Sequence, residues 1–299
     1  MSATTAPGAA AAAERPRRPV PPQIRRRQLL LAVANHSVAI ALSIAFLLPF
    51  VFILATSLMT NQQALSPNIW PRPFVWSNYK TVFEAFPFVR YTLNTVTYAG
   101  LATVGVLLSC VPVAYALSRL QWRGRQAAFL LVLSTLMLPP QVTIVPLYII
   151  FVRLGWVGSL KPLIIPLFFG DAFTIFLLRQ FFLTIPQELS DAARVDGASE
   201  LQILLRVIVP LAKPALAAVA LFQFLYSWND FFSPLLYAGN NPDSWTLAVA
   251  LQQFTTLSRG VLWNLQMAAS LLFMLPVLII FFFAQKVFVE GVTLTGVKG

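Results

Sequence analysis

The chain has 299 residues, 58% of them hydrophobic and 10% charged, with a formal net charge of +11. Soluble domains are about half apolar and about a quarter charged, so this composition excludes a water-soluble globule and requires a surface that faces lipid. The basic residues lie between long apolar runs, the pattern of loops that hold a membrane protein in place rather than of a nucleic-acid-binding face.

Residues 1–28 are rich in Ala, Pro and Arg, and read as a disordered basic tail. Six arginines (Arg15, Arg17, Arg18, Arg25, Arg26 and Arg27) stand just before the first apolar run. That run starts at Leu29 and is too long for a cleaved signal peptide, so an uncleaved first span is expected. A membrane crossing needs about 20 mostly apolar residues. Stretches at roughly 36–58, 92–117, 127–152, 162–183, 211–237 and 266–288 qualify. Backbone in lipid must bond to itself, so these are helices. The expected fold is all-α: one six-helix transmembrane domain over 29–290, with a short tail at 291–299.

With a cytoplasmic N-terminus, fifteen of the 21 Lys and Arg fall inside; Arg72, Lys80, Arg90, Arg153, Lys161 and Arg259 fall outside. This bias places both termini in the cytoplasm. Trp70, Trp76, Trp156, Trp245 and Trp263 then lie near the outer face, where indole rings favour the headgroup zone. The segment from Met59 to Tyr91, with Pro67, Pro71, Pro73 and Pro87, reads as an outer cap. Pro139, Pro140 and Pro146 interrupt the third span, and Pro234 falls late in the fifth. Each removes a backbone donor and is expected to kink its helix. Cys110 has no partner for a disulfide or thiolate cluster and reads as a small core residue.

Residues 184–214 read TIPQELSDAARVDGASELQILLRVIVPLAKP and are too polar at their start to span. Pro186 and Glu188 open a helix, Asp196-Gly197 closes it, and Ser199 with Glu200 opens a second. Leu201, Leu204, Leu205, Ile208 and Val209 recur at helical spacing as an apolar stripe. The result is a cytoplasmic helix–turn–helix whose polar side, with Asp191, Arg194 and Asp196, is left to meet a partner. Asp191 and Asp196 are expected to cap helices and to make contacts; Gly197 is expected to need freedom in φ.

The pattern D-A-A-x-x-D-G-A followed by P-x-x-x-P resembles the EAA loop of bacterial ABC importer permeases, with Asp191 where the family usually has Glu. The six-span layout, the S-W-N-D stretch at 227–230 and the ending GVTLTGVKG at 291–299 look like the maltose-type branch that takes up carbohydrates. The resemblance implies that Asp191, Ala192, Ala193, Asp196, Gly197 and Ala198 form a coupling helix seated in a separate ATPase. It implies two ATPase subunits that bind ATP and Mg, a second permease subunit (a heterodimer is favoured), and an extracytoplasmic solute-binding protein. It also implies a bacterial inner-membrane location and a sugar or polyol phosphate as solute. The tail after Glu290 is expected to reach the ATPases.

No G-x-x-x-x-G-K-[ST] occurs, so the chain has no P-loop and expects its energy from a partner. No His/Cys/carboxylate cluster suggests a metal, no nucleophile–base spacing suggests catalysis, and His36 receives no role. Charged groups inside spans are costly and functional by default. Trp228, Asn229 and Asp230, with Tyr226 and Tyr237 nearby, supply the aromatic, amide and carboxylate groups suited to sugars. A structural role in capping helices or joining subunits is the alternative for Asn229 and Asp230, and the favoured one for Asp171. The competing function is a self-sufficient secondary transporter or channel, for which Asp171 and Asp230 are too few mid-span carboxylates.

Overall fold

A computed structural model describes the backbone of residues 22–85, 87–257 and 262–296, and the side chains of residues 30–85, 87–253 and 262–282. Most of the expected N-terminal tail, the side chains of the expected C-terminal tail, and Arg259 lie outside the described residues. The chain divides into two units, Met1–Phe52 and Ile53–Gly299.

The first unit is the greater part of α1 (Pro22–Ser57), which runs unbroken through Pro49. Every side chain of residues 30–52 is exposed, Phe46 at 74%. A helix apolar on all sides suits lipid and not water.

The second unit begins with two short helices, α2 (Asn61–Ala64) and α3 (Ser77–Ala85), and then α4 (Phe88–Ser118). Next come α5 (Arg125–Thr135) and α6 (Pro140–Arg153), bent by 92°. The following pair, α7 (Lys161–Ile164) and α8 (Ala172–Thr184), flanks a 3-10 turn at Ile165–Phe169. The loop region holds α9 (Gln187–Val195), α10 (Glu200–Ile203), a π-helical turn at Leu204–Ile208 and α11 (Val209–Leu211). The unit closes with α12 (Lys213–Asn229), α13 (Phe232–Ala238), α14 (Leu247–Leu257) and α15 (Trp263–Gly296). Among the described residues, Leu30–Ser57, Phe88–Ser118, Lys161–Thr184 and Trp263–Phe282 are each long and apolar enough to cross a membrane. The number rises to six if each bent pair, α5 with α6 and Glu200–Leu211 with α12, is one span.

The middle of the second unit is α4, against which α12 and α8 lie. Ala99, Ala102, Val106, Cys110 and Ala114 are all at 0% exposure. They recur three or four residues apart, so one narrow face of small side chains admits close neighbours. A Cβ on Gly105 would come within 2.6 Å of the Phe168 ring. Cys110 is buried, as expected, and its sulfur accepts the Asp171 N–H at 3.2 Å.

The helix breaks follow backbone accounting. Proline has no N–H for the carbonyl four residues earlier, and its ring crowds that carbonyl. Pro139 thereby frees Thr135, the last residue of α5. The residue before Pro140 is extended, with ψ 132°, because proline disfavours the α region for its predecessor. Pro234 frees Asp230, so the fifth span breaks at Asp230, with ψ 120°, rather than at the proline. Pro234 itself sits in the first turn of α13, where no donor is needed. Pro210 frees Arg206, and there the helix slips instead: Val209 N–H reaches Leu204 O, closing a π turn.

The expected outer cap is built on Asn78. Its amide donates to Ser57 O and Met59 O, both at 2.8 Å, and its oxygen accepts from Asn264 Nδ2 at 3.2 Å. These bonds tie α3 to the end of α1 and to α15 within the second unit. At the same end Arg90 pairs with Asp243 at 2.6 Å, and Asn94 donates to Asp243 O and Trp245 O at 2.9 Å. Replacing Asn78 with Ala leaves two carbonyls and one amide without these partners. We expect a loss of about 1–3 kcal/mol per unsatisfied buried group, read as a lower unfolding midpoint in detergent.

Candidate functional site: the α9–α10 loop and the cavities beside α12

The loop at 184–214 is a helix–turn–helix, and each motif residue has a backbone reason. Pro186 is the residue before α9, with ψ 136°, and Glu188 stands in the first turn, where the helix dipole favours an acid. Asp196 closes α9; its N–H donates to Ala192 O at 3.0 Å. Gly197 follows with φ +83°, a conformation that costs a Cβ-bearing residue about 1 kcal/mol or more. The Gly197 N–H donates to Arg194 O and the Ala198 N–H to Ala193 O, both at 3.0 Å. This pair of bonds is a Schellman motif, whose accompanying apolar contact joins the residues at the positions of Ala193 and Ala198. Ser199 then caps α10: its hydroxyl accepts the Gln202 N–H at 3.4 Å, and Gln202 Oε1 accepts the Ser199 N–H at 2.8 Å.

Two expectations for this loop need correction. On the polar side Asp191 and Asp196 are exposed, and Arg194 is engaged on two sides. Its Nη1 donates to Asp191 Oδ1 at 2.6 Å and its Nε to Glu200 Oε1 at 2.7 Å. Asp191 sits inside α9 and pairs with Arg194 and Gln187 instead of capping a helix end; Asp196 does hold the cap position. The apolar stripe is also different. Ile203, Leu204 and Ile208 are buried, whereas Leu201 is 65% and Leu205 56% exposed. The buried face runs through Ile203, Leu204 and Ile208, beside the row of Leu201 and Leu205.

Sequence reasoning missed the residues that moor this loop to α4. The Tyr115 hydroxyl donates to Glu200 Oε2 at 2.5 Å, across 85 residues of chain. Arg119, at the end of α4, donates to Gln187 Oε1 at 2.7 Å and to Ile185 O at 2.5 Å. Arg119, Trp122, Gln187, Asp191, Arg194 and Glu200 line a surface groove of about 750 Å³. The bond from Arg194 outweighs the upward push of burial and, with the bond from Tyr115, holds the Glu200 carboxyl below its ordinary range. The same partner raises Arg194. A tyrosine inside an apolar run and a glutamate in a distant polar loop carry no local signal of each other.

Two cavities flank α12 and share Leu167 and Tyr226. One, of about 420 Å³, is lined among others by Asp171, Thr174, Phe222 and Gln223. The other, of about 440 Å³, is lined among others by Tyr98, Phe151, Trp156, Asp230, Ser233 and Tyr237. Asp230 lies at the helix break, accepting the Tyr98 hydroxyl at 2.9 Å and the Ser233 N–H at 3.1 Å. Asp171 caps α8, accepting the Thr174 N–H at 2.7 Å, which is the structural role favoured for it.

Of the four predicted pathway residues, Tyr226 and Asp230 line a cavity. Trp228 does not: it is fully buried, stacked between Phe224 and Phe273, with its ring N–H on Phe273 O. Its large ring finds more apolar partners in the α12–α15 contact than a cavity wall offers. Asn229 is exposed but donates to Leu225 O at 2.8 Å, and it lines neither cavity. Tyr98, Gln223 and Ser233 join the cavity walls unforeseen. Among the described residues no group of three or more His, Cys, Asp or Glu could hold a metal.

Apolar helices long enough to cross a membrane, with α8 and α12 packed on α4 in the second unit and a polar helix–turn–helix loop between them, define a polytopic membrane protein. The chain belongs to the family of binding-protein-dependent transport system inner membrane components, which matches residues 102–294. Members of this family are transport components and not catalytic subunits. The chain is 33% identical to the osmoprotective compounds uptake permease protein GgtD of Synechocystis sp., over 92% of this chain and 95% of that one. It is 32% identical to the arabinooligosaccharides transport system permease protein AraQ of Bacillus subtilis, over 86% and 92%. A solved bacterial ABC transporter involved in the import of the acidic polysaccharide alginate contains a chain of like fold. It has TM-score 0.76 and 26% identity, covering 87% of this chain and 97% of that one.

The Glu200 shift carries a pH dependence. A carboxyl held below its ordinary value of 4.5 contributes loop stability that is fully present above that value and is lost as pH falls through the shifted one. Hydrogen exchange of the amides of residues 187–208, corrected for intrinsic rates, is expected to be flat from neutral pH to about 4.5 and to quicken below it. Glu200→Gln is expected to remove that dependence.

Proposed function

We propose that the chain is one permease subunit of an ATP-driven sugar importer, and that its loop at 184–214 docks on a separate ATPase. The observation that carries the proposal is the Schellman turn at Gly197. It fixes α9 and α10 as a rigid, solvent-facing elbow built from the same D-A-A-x-x-D-G-A residues that resemble the EAA loop. Asp191, Ala192, Ala193, Asp196, Gly197 and Ala198 form the docking element in this reading. ATP and Mg bind the partner ATPases. A second permease, in a heterodimer, completes the pathway, and an extracytoplasmic binding protein delivers the solute. Both termini then lie in the cytoplasm, consistent with the bias of Lys and Arg toward that side.

Sugar as the solute class is supported by the names of relatives, which include an arabinooligosaccharide permease. It is supported also by a cavity that combines a carboxylate with aromatic walls. Carboxylates accept from hydroxyls, and aromatic faces cover the apolar side of a pyranose. Tyr226 and Asp230 are the contact residues in this reading, Asn229 is tied back to Leu225 O, and Trp228 fixes α12 against α15.

The test is a pull-down from detergent of this chain with its co-expressed permease and ATPase partners, in wild type and in Gly197→Pro. Proline cannot adopt φ +83°, so the elbow is lost while the crossings stay inserted. Wild type is expected to retain the ATPase and the variant to lose it; a folded wild type that retains none sinks the reading. Tyr226 is 68% exposed, so Tyr226→Ala should leave the fold intact. We expect it to lower solute transport about two- to tenfold, the loss of about 0.5–1.5 kcal/mol of aromatic contact. Unchanged transport would remove Tyr226 from the pathway.

A further inference from the structure

The helix that forms one wall of the Asp230 cavity is the helix that moors the α9–α10 loop. Near one end of α4, Tyr98 bonds Asp230 at 2.9 Å; near the other, Tyr115 bonds Glu200 at 2.5 Å. Both tyrosine side chains are 3% exposed, so each hydroxyl emerges from an apolar setting to meet a carboxylate. Seventeen residue steps, with no break in the helix, separate the two tyrosines by about 26 Å along its axis at 1.5 Å per residue.

The loop meets the bundle in two ways. Ile203, Leu204 and Ile208 share a core cluster with Ala114, Tyr115, Leu117, Phe182 and Ile185. Apolar contact of that kind is non-directional and lets one surface slide on another. The directional ties are the Tyr115–Glu200 bond and the grip of Arg119 on Gln187 and Ile185 O. Only the first reaches beyond the Schellman turn to α10. Glu200 is held from the other side by Arg194, which is itself in the helix that carries the docking motif. A displacement of α9 therefore passes through Arg194 and Glu200 to the Tyr115 ring, and so to α4.

We infer that Tyr115 and Glu200 are positioning residues that link movement of the ATPase-docking loop to α4 and, through Tyr98, to the helix break at the cavity. This rests on the proposed docking role of the loop. Neither residue needs to touch ATPase or solute. Tyr115→Phe removes one hydroxyl and keeps the ring in its cluster. Glu200→Ala removes the acceptor and leaves Arg194 paired with Asp191 alone. Glu200→Gln keeps both bonds in kind, because its amide can donate to the Tyr115 oxygen while its carbonyl accepts from Arg194.

The experiment reconstitutes the full complex, with second permease, ATPases and binding protein, in liposomes. It measures solute transported per ATP hydrolysed. A variant that merely destabilised the complex would lower transport and hydrolysis together and leave the ratio unchanged. The ratio is expected to fall at least about fivefold in Tyr115→Phe and in Glu200→Ala, the lower bound of a typical coupling energy. Their double variant should be no worse than either alone, as for two ends of one interaction. Glu200→Gln should stay within about twofold of wild type, the size of an ordinary surface change. Unchanged ratios in both single variants, or additive losses in the double variant, overturn the inference. Should one variant fail to assemble, the other decides. A wild-type complex that retains no ATPase sinks the docking reading itself, so the two failures are told apart.

Discussion

Inside a lipid slab each backbone carbonyl must find its donor within the protein, because no water is there to supply one. Proline removes a donor and leaves a carbonyl four residues upstream to be provided for. The second unit meets that obligation in three different ways, two of them where the site is built. At Pro139 and Pro140 the chain turns by 92° and starts a new helix. At Pro234 it breaks upstream at Asp230, whose side chain caps the next helix and takes the Tyr98 hydroxyl. At Pro210 it keeps its helix and slips into a π turn before bending by 81° into α12. The cavity beside Asp230 and the loop that ends at α11 are both products of this accounting.

The same rule explains what was and was not legible in the sequence. Apolar runs placed the crossings, and the turn at Asp196-Gly197 was plain from residue type. Proline marked where breaks were possible but not which ones occur. Pro112 lies inside α4 and Pro276 inside α15, and neither interrupts its helix. A break needs a second feature: another proline at Pro140, or a side chain such as Asp230 that can cap the new helix. The burial of Leu204 and Ile208 without Leu201 and Leu205 was hidden because both pairs lie four residues apart, so helical spacing marks two adjacent rows and not which of them faces the bundle. Trp228 misled because residue type suits sugar contact and core stacking equally, and only the neighbouring Phe224 and Phe273 decide between them.

The D-A-A-x-x-D-G-A pattern gains a physical meaning from the backbone. Gly197 occupies φ +83°, which a side chain would oppose. Ala193 and Ala198 sit at the two ends of the 6→1 hydrogen bond, where small side chains let α9 and α10 approach. Asp191 and Arg194 pair on the exposed side of α9. The motif thus specifies a fixed angle between two short helices. An exposed ion pair contributes little stability by itself, about 0–1 kcal/mol. The role of Arg194 is better seen in what it bridges, α9 and the carboxylate of Glu200.

Burial and register are carried by different contacts in this fold. Small side chains on α4 and the apolar residues of the loop supply burial, which holds the helices together without fixing their register. A few polar bonds set the register: Asn78 at the cap, Tyr98 at the break, Tyr115 and Arg119 at the loop. Each joins an element to one bounding it rather than to a sequence neighbour. A bundle that must move as a transporter gains from this division. Apolar faces can shift by small amounts at low cost, while a helix without a break between its two tyrosine bonds passes a displacement at one end to the other. The unbroken course of α4 through Pro112 is therefore the feature on which the inferred coupling along the second unit rests.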